Sequence, residues 1–349
     1  MSVAARAARP RLSWLKEAWA LGVLIAASVL IVYGALVLVK ASPAQTGWDL
    51  LKGSLGSAAA ISGTLREVTP LLISGIAVFL GLKAGLFNIG VEGQFTIGAL
   101  AATMVALKIP GLAGIILAIV AGMAAGGLLA LPAGAIKAYR GGHEVITTIM
   151  LNNVVGLIAT ALVAGPLKAP NTESPETSSI AASSHLPDLL TIGNLEINSG
   201  LLIGVVVAIG LGIWLRRGVS GFELRAAGAN ATAARFAGIN NKLVILKAMT
   251  WSGAIGGLAG AAQVLGSQFY FAPDLSSGYG FDALGVALLA GSSPAGLLPS
   301  SALFGVLNKG GTSIQVNDQV PKGIMYVVLG LFIVIAAAIR YRKRLVSDG

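Results

Sequence analysis

The sequence predicts an all-α polytopic membrane protein with about ten transmembrane helices, some of them broken or re-entrant. Three observations predict it. Only 11% of the residues are charged, where a soluble domain carries about 25%. Mean hydropathy is +0.83 and 55% of residues are hydrophobic. Apolar runs recur along the whole chain, separated by short polar segments. The 47 glycines among 349 residues fit the same class, because small residues let membrane helices approach closely.

The runs follow in order. A crossing needs about 20 apolar residues. Leu21–Val39 meets that length and exceeds a signal-peptide core, so it predicts an uncleaved first helix. Trp48–Val68 reads either as a surface segment or as an extension of the second span. Leu71–Leu82 is short; Ile89–Leu107, Gly111–Ile136, Val145–Ala164, Gly200–Leu215 and Ala248–Leu265 are longer. Phe281–Ala290 and Leu297–Leu307 are again short, and Ile324–Ile339 closes the series. Leu71–Leu82, Phe281–Ala290 and Leu297–Leu307 read as interrupted segments. Irregular backbone at membrane depth survives only inside protein or along a cavity, so broken segments point to a substrate path. The steps Gly122–Gly126, Gly253–Gly257 and Gly256–Gly260 mark close helix packing.

With the N-terminus inside and ten crossings, 17 of the 24 Lys and Arg residues fall on inner segments. That asymmetry places both termini in the cytoplasm and accounts for the net charge of +10. No aromatic residues interleave with the basic ones as a nucleic-acid surface requires. The organisation is a cytoplasmic segment 1–18, a transmembrane domain 19–340 and a cytoplasmic tail 341–349. Within the domain, 167–199 is a periplasmic loop and 216–247 a cytoplasmic one. The periplasmic loop, rich in Ser, Thr, Pro and Glu, reads as a solvated connector or as a docking surface for an external protein.

Three stretches carry candidate function. Gly85–Leu100 places Asn88, Glu92 and Gln94 among glycines beside a membrane run. Polar groups at that depth are costly and face a bundle interior or a cavity. They read either as ties between broken helix ends or as substrate contacts, with Phe87, Phe95 and Phe281 offering aromatic faces. Gly141–Asn153 places Arg140, His143 and Glu144 at the inner mouth, with Asn152 and Asn153 inside the span. The third is a basic island, Arg216–Lys247, between two apolar runs. Its Ala, Leu, Glu and Arg favour helix, punctuated by Gly228 and Gly238. Its small residues suit a helix that fits a protein groove, not a lipid surface. A transport machine driven by a separate protein is the function this pattern predicts.

Other classes fit less well. There is no cysteine, and His143 and His185 lack metal-ligand spacing. No Ser/His/Asp set or carboxylate pair converges at recognisable spacing. The chain lacks a GxxxxGK[ST] phosphate loop, so any ATP would be bound by a partner. An ion-coupled secondary transporter would need titrating acids in the membrane, for which Glu67, Glu92 and Asp282 are candidates. A channel would need a lining ring of charges or carbonyls, and no clear filter is present.

GLFNIGVEGQ (Gly85–Gln94), HEVITTIMLN (His143–Asn152), LRAAGANATAARFAGI (Leu224–Ile239) and GFDALGVALLAGSSPAG (Gly280–Gly296) resemble bacterial ABC-importer permeases. The resemblance is to the branched-chain amino acid and simple-sugar permease superfamily, and within it to nucleoside-importer permeases. It covers roughly residues 15–340. It implies inverted repeats, two permease subunits forming a pore, and two ATPase subunits that hold ATP and Mg. It also implies a heterodimer with a paralogous permease, a substrate-binding lipoprotein outside, and a lipid environment in the bacterial inner membrane. Carried onto this chain, the ATPase-coupling segment falls on Glu223, Arg225, Ala226, Gly228, Asn230, Ala233, Ala234 and Gly238. The expected substrate path comprises Phe87, Asn88, Glu92, Gln94, Asn152, Asn153, Phe281 and Asp282.

Overall fold

A computed structural model describes residues 10–170, 172–276, 278–317, 320–321 and 323–347. Thirteen α-helices and one β-hairpin follow in order along the described residues. The chain forms two compact units, one from residues 1–56 with 307–349 and the other from 57–306.

In the first unit, α1 (Pro10–Leu38) and α2 (Pro43–Leu55) meet at a bend of 97°, turned by Lys40 at φ 59. Pro43 opens α2 at its first turn, where a missing N–H costs nothing. α13 (Gly323–Ser347) packs against α1.

The second unit holds the elements up to residue 306, with α3 (Ala58–Lys83) at its centre. Every residue from Val68 to Gly81 is buried. Around it run α4 (Val91–Lys108), α5 (Leu112–Ala135), α6 (Glu144–Ala164), α7 (Ser199–Arg217) and α10 (Asn241–Gln263). α5 and α10 each end in a π turn, at Ile136–Arg140 and Val264–Gln268. Two short surface helices, α8 (Val219–Ala229) and α9 (Ala231–Phe236), lie between α7 and α10. α11 (Tyr279–Ala290) has 12 residues and stops at Gly291, whose φ of 79 no ordinary side chain tolerates well. α12 (Leu297–Asn317) follows, its residues to 306 in this unit and those from 307 in the first.

α4, α5 and α10 touch backbone to backbone. A Cβ on Gly257 would run into the carbonyl oxygen of Gly122, and one on Gly260 into that of Phe95. Gly98 faces Gly257, and Gly126 faces Gly253, with the same result. The glycine steps seen in the sequence are this seam. Without a solvent-driven hydrophobic force between helices in lipid, such close van der Waals approach is what holds them.

Three sequence expectations change here. Leu71–Leu82 and Leu297–Leu307 are not interrupted segments: the first is the C-terminal half of the continuous 26-residue α3, the second the start of the continuous 21-residue α12. The polar residues Arg66 and Glu67 that mask the N-terminal half of α3 are satisfied. Arg66 pairs with Glu196 at 2.6 Å, and Glu67 accepts a hydrogen bond from Tyr279 Oη at 2.8 Å. Second, the fold is not purely helical. β1 (Asp188–Ile192) and β2 (Leu195–Asn198) form an antiparallel hairpin around Gly193–Asn194, Gly193 having φ 57. Third, the connector between α6 and α7 is docked, not merely solvated. Thr177 N donates to Phe271 O, Ile180 N to Phe269 O and Leu186 N to Leu265 O. His185 stacks on Phe269 with ring centroids 3.7 Å apart.

By length and composition, five helices among the described residues qualify as membrane crossings: α3, α5 with its π turn, α6, α7 and α10 with its π turn. The bent pair Ala26–Leu38 and Pro43–Leu55 makes six if counted as one span.

The seam gives a direct test. Gly257→Ala places a methyl against backbone that has no room to yield, at an expected cost of about 1–3 kcal/mol. Gly156→Ala, in mid-α6 where nothing lies within 4 Å, is expected to cost nothing and to stabilise by up to about 1 kcal/mol. Melting of the detergent-solubilised variants checks both.

Candidate functional site

The turn from α3 to α4 begins at Gly85, whose φ is 73. It delivers Asn88 into the interior, where its exposure is 0%. Asn88 Nδ2 donates to Gln94 Oε1 (2.9 Å) and to Ser252 Oγ (2.8 Å). Asn88 Oδ1 accepts from Gln94 Nε2 (3.1 Å) and from Gly90 N (3.0 Å). Ser252 Oγ donates onward to Ala77 O (2.6 Å). One amide thus ties α3, α4 and α10 together.

A helix that starts inside protein leaves its first N–H groups without intrahelical partners. At α4 the side chains of neighbouring elements supply them. Asn152 of α6 accepts from Gly93 N (2.9 Å) and donates to Ile89 O (2.9 Å). Glu92 in turn serves α11, its Oε2 accepting from Gly280 N at 2.7 Å. A carboxylate at a helix N-terminus also opposes the positive end of the dipole. Glu144, at the start of α6, accepts from Phe87 N at 3.4 Å and pairs with Lys137 Nζ at 2.8 Å.

Of the residues expected to line a path, Asn88, Glu92, Gln94 and Asn152 converge on the start of α4. Asn153 does not join them. It is exposed, and its Nδ2 bonds back to Ile149 O on its own helix. Phe87 and Phe281 are each about half exposed, beside the backbone groups that Glu144 and Glu92 hold. Asp282 lies in the first turn of α11 and is half-buried. Phe95 is buried against Tyr279, with centroids 5.7 Å apart. Ser252 and Tyr279 are the members sequence reasoning missed. Ser252 is a single hydroxyl at the head of a run of small residues, and nothing in its neighbours marks it.

The basic island forms the two helices expected of it. They share one joint, Asn230, which ends α8 and caps α9 by accepting from Thr232 N and Ala233 N, both at 3.0 Å. Gly238, at φ 83, turns the chain towards α10. Arg225 and Ala233 are exposed, Leu224 and Ala234 buried, and Glu223 and Ala226 intermediate. Gly228 does not punctuate the island, as the sequence suggests; it lies inside α8. Its missing Cβ would strike the Lys83 carbonyl oxygen and come within 3.0 Å of Gly85 N. α8 therefore rests directly on the turn that carries Asn88. On the free side, Val219 and Phe222 are exposed, and Phe236 of α9 is 89% exposed. This side of the pair thus groups exposed apolar side chains with the exposed Arg225.

The neighbouring amides of α6 separate these roles. Asn152→Leu strips Gly93 N and Ile89 O of their partners, at about 1–3 kcal/mol for each group left unpaired. It is expected to lower the melting temperature, whereas Asn153→Leu leaves it unchanged.

Residues 60–337 match the family described as branched-chain amino acid transport system / permease component. The chain is 34% identical over 313 residues to the guanosine ABC transporter permease protein NupP of Bacillus subtilis, covering 87% of this chain and 89% of that one. It is 33% identical to the nucleoside ABC transporter permease protein NupB of Lactococcus lactis, covering 82% and 81%. It is 32% identical to the glucose ABC transporter permease protein TsgB13 of Haloferax volcanii, covering 95% and 90%. No solved structure matches the chain. A multi-pass helical architecture, glycine-packed helices and a pair of surface helices accompany these matches, and the chain belongs to the branched-chain amino acid transport system / permease component family.

Proposed function

We propose that this ABC permease is the membrane-spanning subunit of an ATP-driven nucleoside importer. One observation carries the coupling part: α8 presents arginine and apolar groups outward, while Gly228 seats its other face on the α3–α4 turn. A push on α8 by an ATPase would reach that turn without slack, because no side chain lies between the two backbones. In this reading Arg225 and Ala233 face the ATPase with Glu223 and Ala226 at the rim. Gly228 and Ala234 face the permease, and Asn230 and Gly238 set the angles of the pair.

The nucleoside part rests on the two relatives that carry guanosine or nucleoside in their names. Phe87 and Phe281 offer faces on which a base can stack, and Glu92 and Asp282 offer polar edges for ribose, while Asn153, bonded back to its own helix, is left out of the path. Asn88, Gln94 and Asn152 act as positioning residues for that path. ATP and Mg are held by the two partner ATPases, a second permease completes the pore, and a lipoprotein outside delivers the substrate. The remainder of the proposal is a bacterial inner-membrane subunit of ten crossings with inverted repeats and cytoplasmic termini. The glucose permease relative favours a second reading, a simple sugar on the same machinery.

Uptake of labelled guanosine, adenosine and ribose, in cells expressing the chain with its ATPase and binding protein, tests the proposal. A nucleoside taken up in preference to ribose, and lost when the ATPase phosphate loop is disabled, is the expected result. Ribose preference would select the sugar reading. Uptake that survives the dead ATPase would overturn ATP coupling.

Arg225→Glu is expected to lower uptake at least tenfold with membrane levels unchanged. Its side chain is exposed, so normal uptake in this variant would remove the coupling assignment.

A further inference from the structure

A groove of about 550 Å³ runs along α7. Val205, Ile209, Gly212 and Ile213 of α7 form one wall, with Leu72 and Leu298 opposite. Only 28% of the most apolar window of α7 is buried. Ile209 and Ile213 are 58% and 53% exposed. Gly212 keeps the slot open, since a Cβ there would meet only Pro294, at 3.8 Å.

The groove has a polar end. Arg216 and Arg217 line it where α7 finishes, and both are exposed. Neither takes part in an ion pair among the described residues. Val205, Ile209, Gly212 and Arg216 follow one helical stripe. At 1.5 Å per residue, Val205 to Arg216 rises about 16 Å. That is about half of a 30 Å hydrocarbon core, the depth of one leaflet.

An apolar slot one leaflet long, ending at two guanidinium groups, has the shape and charge of an acylated phosphodiester. Guanidinium forks bind phosphate oxygens in pairs, and basic pockets at the ends of membrane helices attract anionic headgroups. A zwitterionic lipid would bring a cation towards the same two arginines. A protein helix in the slot would need acidic residues placed for them.

We propose that this groove is a binding site for one anionic phospholipid, its phosphate at Arg216 and Arg217 and one acyl chain along Val205, Ile209 and Ile213.

Native mass spectrometry of the purified full chain tests this, with phosphatidylglycerol and phosphatidylcholine of equal chain length titrated separately. The wild type is expected to retain phosphatidylglycerol in preference. Each basic residue near an anionic headgroup contributes about fivefold, so R216Q/R217Q should weaken retention about thirtyfold. R216K/R217K should keep most of it, which separates charge from folding. Gly212→Leu should weaken both lipids by filling the slot, and Lys108→Gln should change neither. Equal retention of the two lipids by the wild type would overturn the proposal, as would an unchanged preference in R216Q/R217Q. The chain has no cysteine, so Ile209→Cys supplies a single cross-linking point in native membranes. A cross-link there to another protein subunit in place of lipid would also overturn it.

Discussion

Every backbone N–H and C=O at membrane depth must find a partner within the protein, and the start of α4 is where this constraint is sharpest. Here the chain turns inside the second unit, leaving several donors exposed at once. Asn88 and Asn152 accept from Gly90 N and Gly93 N, while Asn88, Gln94 and Ser252 bond to one another and, through Ser252, to Ala77 O. A half-satisfied network in a low dielectric is worse than none, so these side chains act together. The same solution recurs one step away, where Glu92 receives the first turn of α11. Broken helices are possible in this protein because their ends are stitched to neighbours.

That stitching needs the helices to lie close, and the glycines provide the approach. α10 contacts α4 on one side and α5 on the other through Gly253, Gly257 and Gly260. Gly256 sits against Gln94, a Cβ there lying 3.1 Å from the Gln94 Cβ. The small-residue seam and the amide cluster are thus two faces of α10, one supplying van der Waals contact and the other supplying Ser252.

Much of this was legible in the sequence. Membrane-grade composition announced the class, the GxxxG steps announced the seam, and the alanine-rich basic island announced two short helices. Asn88, Gln94 and Asn152 stood out because polar groups at that depth need a reason. Other features were hidden for physical reasons. Adjacent residues on a helix point about 100° apart, so the pair Asn152–Asn153 does not reveal which amide faces inward. The N-terminal half of α3 was masked by Arg66 and Glu67, whose partners come from residues 130 and 212 positions away. The hairpin's Gly-Asn turn between two alternating stretches is a recognised signal, lost in a Ser-, Thr- and Pro-rich background.

The two sides of α8 live under different rules. Inward, Gly228 has backbone against it and admits no replacement, whatever partner the helix serves. Outward, Val219, Phe222 and Arg225 touch nothing within the described residues that their replacement would crush. The outward face of this helix can therefore change in sequence while its seat on the α3–α4 turn stays fixed. Within eleven residues one face of the helix is fixed by backbone contact and the other is open to change.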